Sequence, residues 1–171
     1  AEAMAGTEAA FAQQMTERAR ELGLDDSVFK NASGWPDPAH VMSVRDLARL
    51  AAEIIGRFPD FYHLYSEESF TYADITQDSR NPLLQGGVAG VDGLKTGHTS
   101  NAGYGLVASA ERDGRRLILV VAGLDTPGER RREAERLLEH GYRAFQSYEL
   151  FADGETIEEA PVWFGDRRTV P

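Results

Sequence analysis

The sequence contains no cysteine, which excludes disulfides, thiolate chemistry and cysteine-based zinc sites. That absence is neutral about redox compartment, because a chain of 171 residues buries roughly 70% of its unfolded surface and needs no covalent staple. No apolar run comes near the ~20 residues that cross a bilayer as a helix. Positive charge is also short: 18 basic side chains face 28 acidic ones, for a formal net charge of -10. This balance argues against a nucleic-acid partner, since binding phosphates needs a basic footprint. Lysine is nearly missing, with Lys30 and Lys95 alone. The histidines at 40, 63, 98 and 140 share no metal-ligand spacing, so a metal site is not expected.

What is present is a globular mixture, 42% hydrophobic and 27% charged. Periodicity predicts a first helix over about 2–22, with Met4, Phe11, Met15 and Leu22 on one stripe and Gly23 ending it. Two prolines and a glycine keep Asn31 to Pro38 irregular. Ser43 caps a second helix, with Asp46 as capping-box partner and Val44, Leu47, Ala51, Ile54 and Phe58 as its buried face. Strands are expected at 69–72 and 75–77 around Ala73-Asp74, and as a hairpin of 105–110 and 117–122 around Asp113-Gly114. The second arm of that hairpin is apolar throughout, as a strand covered on both faces should be. A third helix over 127–147 buries Ala134, Leu137, Leu138, Tyr142 and Phe145, and short strands follow at 149–151 and 161–164. The chain carries no signal peptide and opens inside helix-forming residues, so it reads as a piece of something longer.

Lys95 stands where a glycine-rich approach (Gly86, Gly87, Gly90, Gly93) meets a strand, followed by Thr96, Gly97, His98 and Thr99. A cation, a hydroxyl and a residue without a side chain suit a strand that receives an anionic ligand, because glycine lets the ligand approach the backbone. A phosphate loop is rejected: it needs glycine directly before the lysine and a helix after it, whereas Leu94 intervenes and strand residues follow. The whole run from Val91 to Tyr104 closely resembles the Lys-Thr-Gly strand of the serine-type D-alanyl-D-alanine carboxypeptidases, the low-molecular-mass penicillin-binding proteins. The resemblance extends to Phe29–Gly34, Ser43–Ala48, Arg80–Leu84 and Pro161–Gly165, and so covers nearly the full chain.

The family uses three motifs, Ser-x-x-Lys, Ser-x-Asn and Lys-Thr-Gly. Patterns for the first two occur at Ser27–Lys30 and Ser79–Asn81, and both read as chance matches. A nucleophilic serine must begin a helix so that the lysine one turn on returns to its face, but Lys30 runs into the Asn31–Pro36 turn and would stand in solvent. Ser79–Asn81 lies in a loop too close to Lys95 for the family's spacing.

The resemblance therefore implies an α+β, partial β-lactamase/transpeptidase-like fold, an antiparallel sheet with helices, followed by the start of a small all-β domain. Residues 1–147 would be the C-terminal part of the catalytic domain, and 148–171 the opening of the β-rich one. The whole enzyme would remove the terminal D-alanine from peptidoglycan stem peptides through an acyl-serine, with no cofactor, and would bind β-lactams, outside the cytoplasmic membrane. In this chain Lys95, Thr96, Gly97, Thr99 and Arg130 would bind substrate, and the backbone amide of His98 would donate to the oxyanion. Nucleophile and base would be absent, leaving the chain inactive alone and its sheet edge open to a complementary N-terminal fragment or to self-association. A class A β-lactamase-like enzyme, or a non-catalytic member that binds peptidoglycan or a partner, are the alternatives.

Overall fold

A computed structural model describes residues 1–146, 148, 150–166 and 169–170. The expected first helix is two: α1 (Glu2–Ala5) and α2 (Glu8–Glu21). Gly6 breaks them at φ 78, and Thr7 restarts the helix by accepting a hydrogen bond from the Ala10 amide at 3.1 Å. The break leaves Met4 exposed, and the buried positions of α2 are Ala12, Thr16 and Ala19 rather than the larger side chains of the predicted stripe. Phe11, Met15 and Leu22 instead line an open apolar groove of about 380 Å³ with Leu24, Phe29 and Leu50.

Helix α3 (Val44–Arg57) starts as expected at Ser43, whose hydroxyl accepts from the Asp46 amide at 3.1 Å. Asp46 does not return the bond. Its carboxylate is fully buried and accepts from the Ser27 hydroxyl at 2.7 Å and the Asp26 amide at 2.9 Å. Ala51 is buried and Leu47 and Ile54 half-buried, but Val44 and Phe58 are exposed. Val44 opens the helix at its rim, and Phe58 lies past the last turn, where Pro59 begins the short α4 (Pro59–Tyr62).

The first hairpin, β1 (Ser69–Tyr72) and β2 (Ile75–Asp78), turns at Ala73 and Asp74 as predicted, both with positive φ. Every one of its side chains is exposed, including Phe70, Tyr72 and Ile75. At its base the Glu68 carbonyl accepts from the Ser79 amide and from Gln85 Nε2.

The central sheet is antiparallel with strand order β3 (Val91–Thr99), β4 (Gly103–Arg112), β5 (Arg115–Leu124). Alternation divides its side chains between two cores. Leu106, Ala108, Ala110 and Val121 pack with Leu83 of α5 (Pro82–Gln85) and with Ala134 and Leu138 of α6 (Pro127–Ala144). On the other face Leu94, Val107 and Ile118 meet Ala51, Ile54 and Ile55 of α3 and Tyr62 of α4. Helices thus cover both faces of β5, which is why that strand carries an unbroken apolar run. Phe145 follows the end of α6 and is exposed, contrary to expectation, with its ring edge-on to His140.

The first residues of β3 are locked by charge. Arg116 of β5 donates to Asp92 at 2.7 Å, to Ser109 at 2.7 Å and to Glu111, and Asp92 also accepts from the Tyr62 hydroxyl at 3.0 Å. Burial pushes the Tyr62 phenol up to about 12, with the Asp92 charge adding to the effect and Ser109 and Arg116 opposing it. Burial also works against the Arg116 charge, but the carboxylates overcome it and hold the guanidinium above its usual range.

Beyond α6, β6 (Ala160–Pro161) and β7 (Thr169–Val170) form a two-stranded antiparallel ribbon. Leu150 and Phe151 are irregular, and of the strand expected at 161–164 only Pro161 is in β6. Ser147 and Glu149, where the third helix and the following strand were expected to end and begin, lie outside the described residues.

Candidate active site

The last residues of β3 open onto a cavity of about 910 Å³. Lys95, Thr96, Gly97, His98 and Thr99 line it from the strand, Arg130 from the first turn of α6, Ser33 and Gly34 from the irregular loop before α3, and Arg80 from the chain before α5. All six residues predicted for the site are therefore brought to one place.

Each is positioned by local chemistry. The β3–β4 register pairs Lys95 with Val107, Gly97 with Gly105 and His98 with Tyr104. Lys95 is exposed, and its Nζ donates to the Thr96 carbonyl at 2.7 Å. Thr99 closes the turn between the strands by accepting from the Ala102 amide at 3.0 Å, which leaves its own hydroxyl proton available. A Cβ on Gly97 would meet no protein atom within 4 Å, whereas one on Gly93 would come within 2.6 Å of the Tyr62 hydroxyl. Gly93 is small because the fold needs it to be; at Gly97 the free space belongs to whatever enters the cavity.

Thr126 caps α6, accepting from the Glu129 amide at 3.0 Å, and this sets the helical phase of the three consecutive arginines. Arg130 lines the cavity, while Arg131 lies over Gly86 and Arg132 over Gly128. The Nε of Arg130 is buried and has no partner among the described residues. Among the described residues no carboxylate lines the cavity, and Arg80, Lys95 and Arg130 converge there in a protein of formal net charge -10. Such a site attracts and orients anions. Among the described residues, no cluster of three or more His, Cys, Asp or Glu side chains could hold a metal ion.

The other two serine patterns are used elsewhere. Ser27 is buried in irregular chain with its hydroxyl on Asp46, and Lys30 is exposed. Asn81 is buried, caps α5 by accepting from the Leu83 amide at 3.1 Å, and donates to the Gly93 carbonyl at 2.9 Å. None of Ser27, Lys30, Ser79 or Asn81 lines the cavity. Sequence reasoning missed Arg80 and Tyr104. Arg80 lies in the Arg80–Leu84 segment that carries part of the family resemblance, and Tyr104 was within reach, because a hairpin with its turn at Ser100–Ala102 sets residue 104 opposite 98.

The α+β sheet with helices on both faces and a Lys-Thr-Gly strand edging a cationic cavity define a penicillin-binding-protein-type transpeptidase fold. Residues 1–126 match the family model for D-alanyl-D-alanine carboxypeptidase, peptidase family S11, and the chain belongs to that family. It is 41% identical over 170 residues to D-alanyl-D-alanine carboxypeptidase DacD of Escherichia coli, a match covering 99% of this chain and 44% of that protein. DacF of Bacillus subtilis is 33% identical over 175 residues, again covering 99% of this chain and 44% of the relative. Among solved structures, penicillin-binding protein 5 of Haemophilus influenzae superposes with a TM-score of 0.89 at 39% identity, over 99% of this chain and 49% of that one. Penicillin-binding protein D2 of Listeria monocytogenes, in its ampicillin-bound form, gives 0.72 at 34% identity, over 78% and 56% of the two chains. The chain thus spans less than half the length of these curated relatives.

Proposed function

We propose that this chain is the substrate-gripping part of a serine-type D-Ala-D-Ala carboxypeptidase that trims the terminal D-alanine from peptidoglycan stem peptides outside the cytoplasmic membrane. The observation that carries the reading is the cavity itself: Arg130, its buried Nε unpartnered, stands over the same space as the Lys95–Thr99 strand end. A planar guanidinium fork is suited to a terminal carboxylate. Lys95 supplies positive potential, Thr96 and Thr99 offer hydroxyls to the peptide, and Gly97 leaves room for its backbone. The His98 amide donates to the carbonyl oxygen as it becomes an oxyanion, a contribution worth about 2.7–4 kcal/mol per donor in acyl-transfer enzymes.

A serine oxygen attacks the carbonyl of the penultimate D-alanine, the peptide nitrogen takes a proton and leaves as D-alanine, and water then cleaves the acyl-serine ester. The serine and its lysine base belong to the remainder of the whole protein, so the chain alone is inert. β-Lactams, which the Listeria relative binds as ampicillin and cefotaxime, enter the same cavity. Residues 1–147 are the C-terminal part of the catalytic domain, and 148–171 open a β-rich domain. A complementary N-terminal segment, or a second copy of the chain, pairs with an open edge of the β3-β4-β5 sheet.

Intact mass after incubation with penicillin tests this reading. The chain alone stays unmodified, and the full-length protein gains one penicillin. An adduct on the isolated chain, above all at Ser27, would overturn its inertness, and an unmodified full-length protein would overturn the enzyme.

A further inference from the structure

Four arginine guanidinium groups lie over tyrosine rings among the described residues, and one differs from the rest. Arg112, 4.3 Å from the Tyr142 ring centroid, pairs with Glu139. Arg115, 5.0 Å from the same ring, donates to carbonyls at the end of α6. Arg116, 5.3 Å from Tyr62, pairs with Asp92 and Glu111. Arg130, 5.7 Å from Tyr104, has the ring and no oxygen partner for its side chain. A carboxylate beside an arginine fixes it but consumes the charge and donors that a ligand would use. An aromatic face attracts the cation through its quadrupole and leaves every N–H free.

We propose that Tyr104 is a positioning residue for carboxylate recognition: its ring holds the Arg130 guanidinium in the cavity without neutralising it. The proposal rests on the reading of Arg130 as the group that takes the substrate's terminal carboxylate. Tyr104 is itself fixed in two ways. The β3–β4 register sets it directly opposite His98, and the His98 imidazole stacks on its ring with centroids 3.9 Å apart and planes 26° apart. The same ring therefore links the strand end that carries the oxyanion donor to the arginine on α6. The strand end is set by the β3–β4 register, so the stacking on His98 steadies the ring and the ring in turn steadies Arg130.

The test uses the full-length protein and two N-acyl-D-alanyl thioesters, one whose leaving group ends in a carboxylate and its carboxamide twin. Thioesters react readily enough for both rates to be measured. Tyr104→Leu is expected to lower kcat/KM for the carboxylate thioester on the order of tenfold, through KM, and to leave the carboxamide thioester within about twofold, the scale of a partly desolvated cation–π contact. Tyr104→Phe keeps the ring and retains the preference. If Tyr104→Leu lowers both thioesters alike, or neither, the ring does not position Arg130 and the proposal is overturned. Loss of the preference in Tyr104→Phe as well overturns it too, since the ring is still there. A wild-type protein that hydrolyses neither thioester, or shows no carboxylate preference, sinks the underlying reading of Arg130 instead.

Discussion

At its start strand β3 meets a cation, Arg116, with the carboxylates of Asp92 and Glu111 close by. At its end Arg80, Lys95 and Arg130 share a cavity that no carboxylate lines among the described residues. The glycines follow the same division, with Gly93 pressed against Tyr62 and Gly97 facing empty space. One strand of nine residues therefore carries two kinds of chemistry. Where charge is neutralised and space filled, the sequence serves the fold. Where charge is left over and space left open, it suits an anionic ligand.

The comparison can be broken by crossing two substitutions in the full-length protein. Arg130→Ala is expected to raise KM for carboxylate-ended peptides on the order of a hundredfold, as loss of a charge-assisted fork does, with little change in Tm. Asp92→Ala should do the reverse, costing roughly 2 kcal/mol of stability because Arg116 and Tyr62 both lose a partner at a site only partly open to solvent. Steady-state kinetics and thermal unfolding on the same two variants decide it, and exchanged effects would erase the distinction between the strand's ends.

A finer contrast compares the two glycines. Gly93→Ala should cost about 1–3 kcal/mol by overpacking against the Tyr62 hydroxyl, whereas Gly97→Ala should leave stability within about 0.5 kcal/mol and weaken ligand binding. Denaturant unfolding of the pair measures this, and equal losses would show that Gly97 also serves packing. A further contrast lies in alkali. Because burial raises the folded Tyr62 pKa to about 12, above the ordinary phenol value, its neutral form stabilises the fold fully below about pH 10 and that contribution is lost as pH climbs toward 12. Tyr62→Phe should therefore lose stability less steeply than the parent between about pH 10 and 12. Parallel curves would mean the phenol is not held neutral.

Much of this was legible in the residues. The period-two runs and their Ala73-Asp74 and Asp113-Gly114 turns marked both hairpins, since a positive φ at a tight turn favours Asp and Gly. The Lys95–Thr99 strand end announced itself through a scarce lysine beside glycine. The extent of burial was harder to read. Val44, Phe58 and Phe145 are apolar and sit at helix ends, where periodicity still places them on the inner face but the neighbouring element has already stopped. Asp46 was read as a cap because its spacing from Ser43 fits one, yet its carboxylate reaches a segment twenty residues upstream, a contact no local pattern encodes. The choice among Arg130, Arg131 and Arg132 needed the helical phase that Thr126 sets.

The β1–β2 ribbon has a practical consequence. Among the described residues its ladder, a hydroxyl pair between Thr71 and Thr76, and the tie at Glu68 hold it against water that touches all its side chains, and two strands alone are marginally stable. Phe70 and Tyr72 thus offer an aromatic-specific protease two accessible bonds in a backbone that opens easily. A nick there would leave both cores and the cavity wall intact, and the cut halves would stay together through the packing of α3 and α4 on Leu94, Val107 and Ile118 of the sheet.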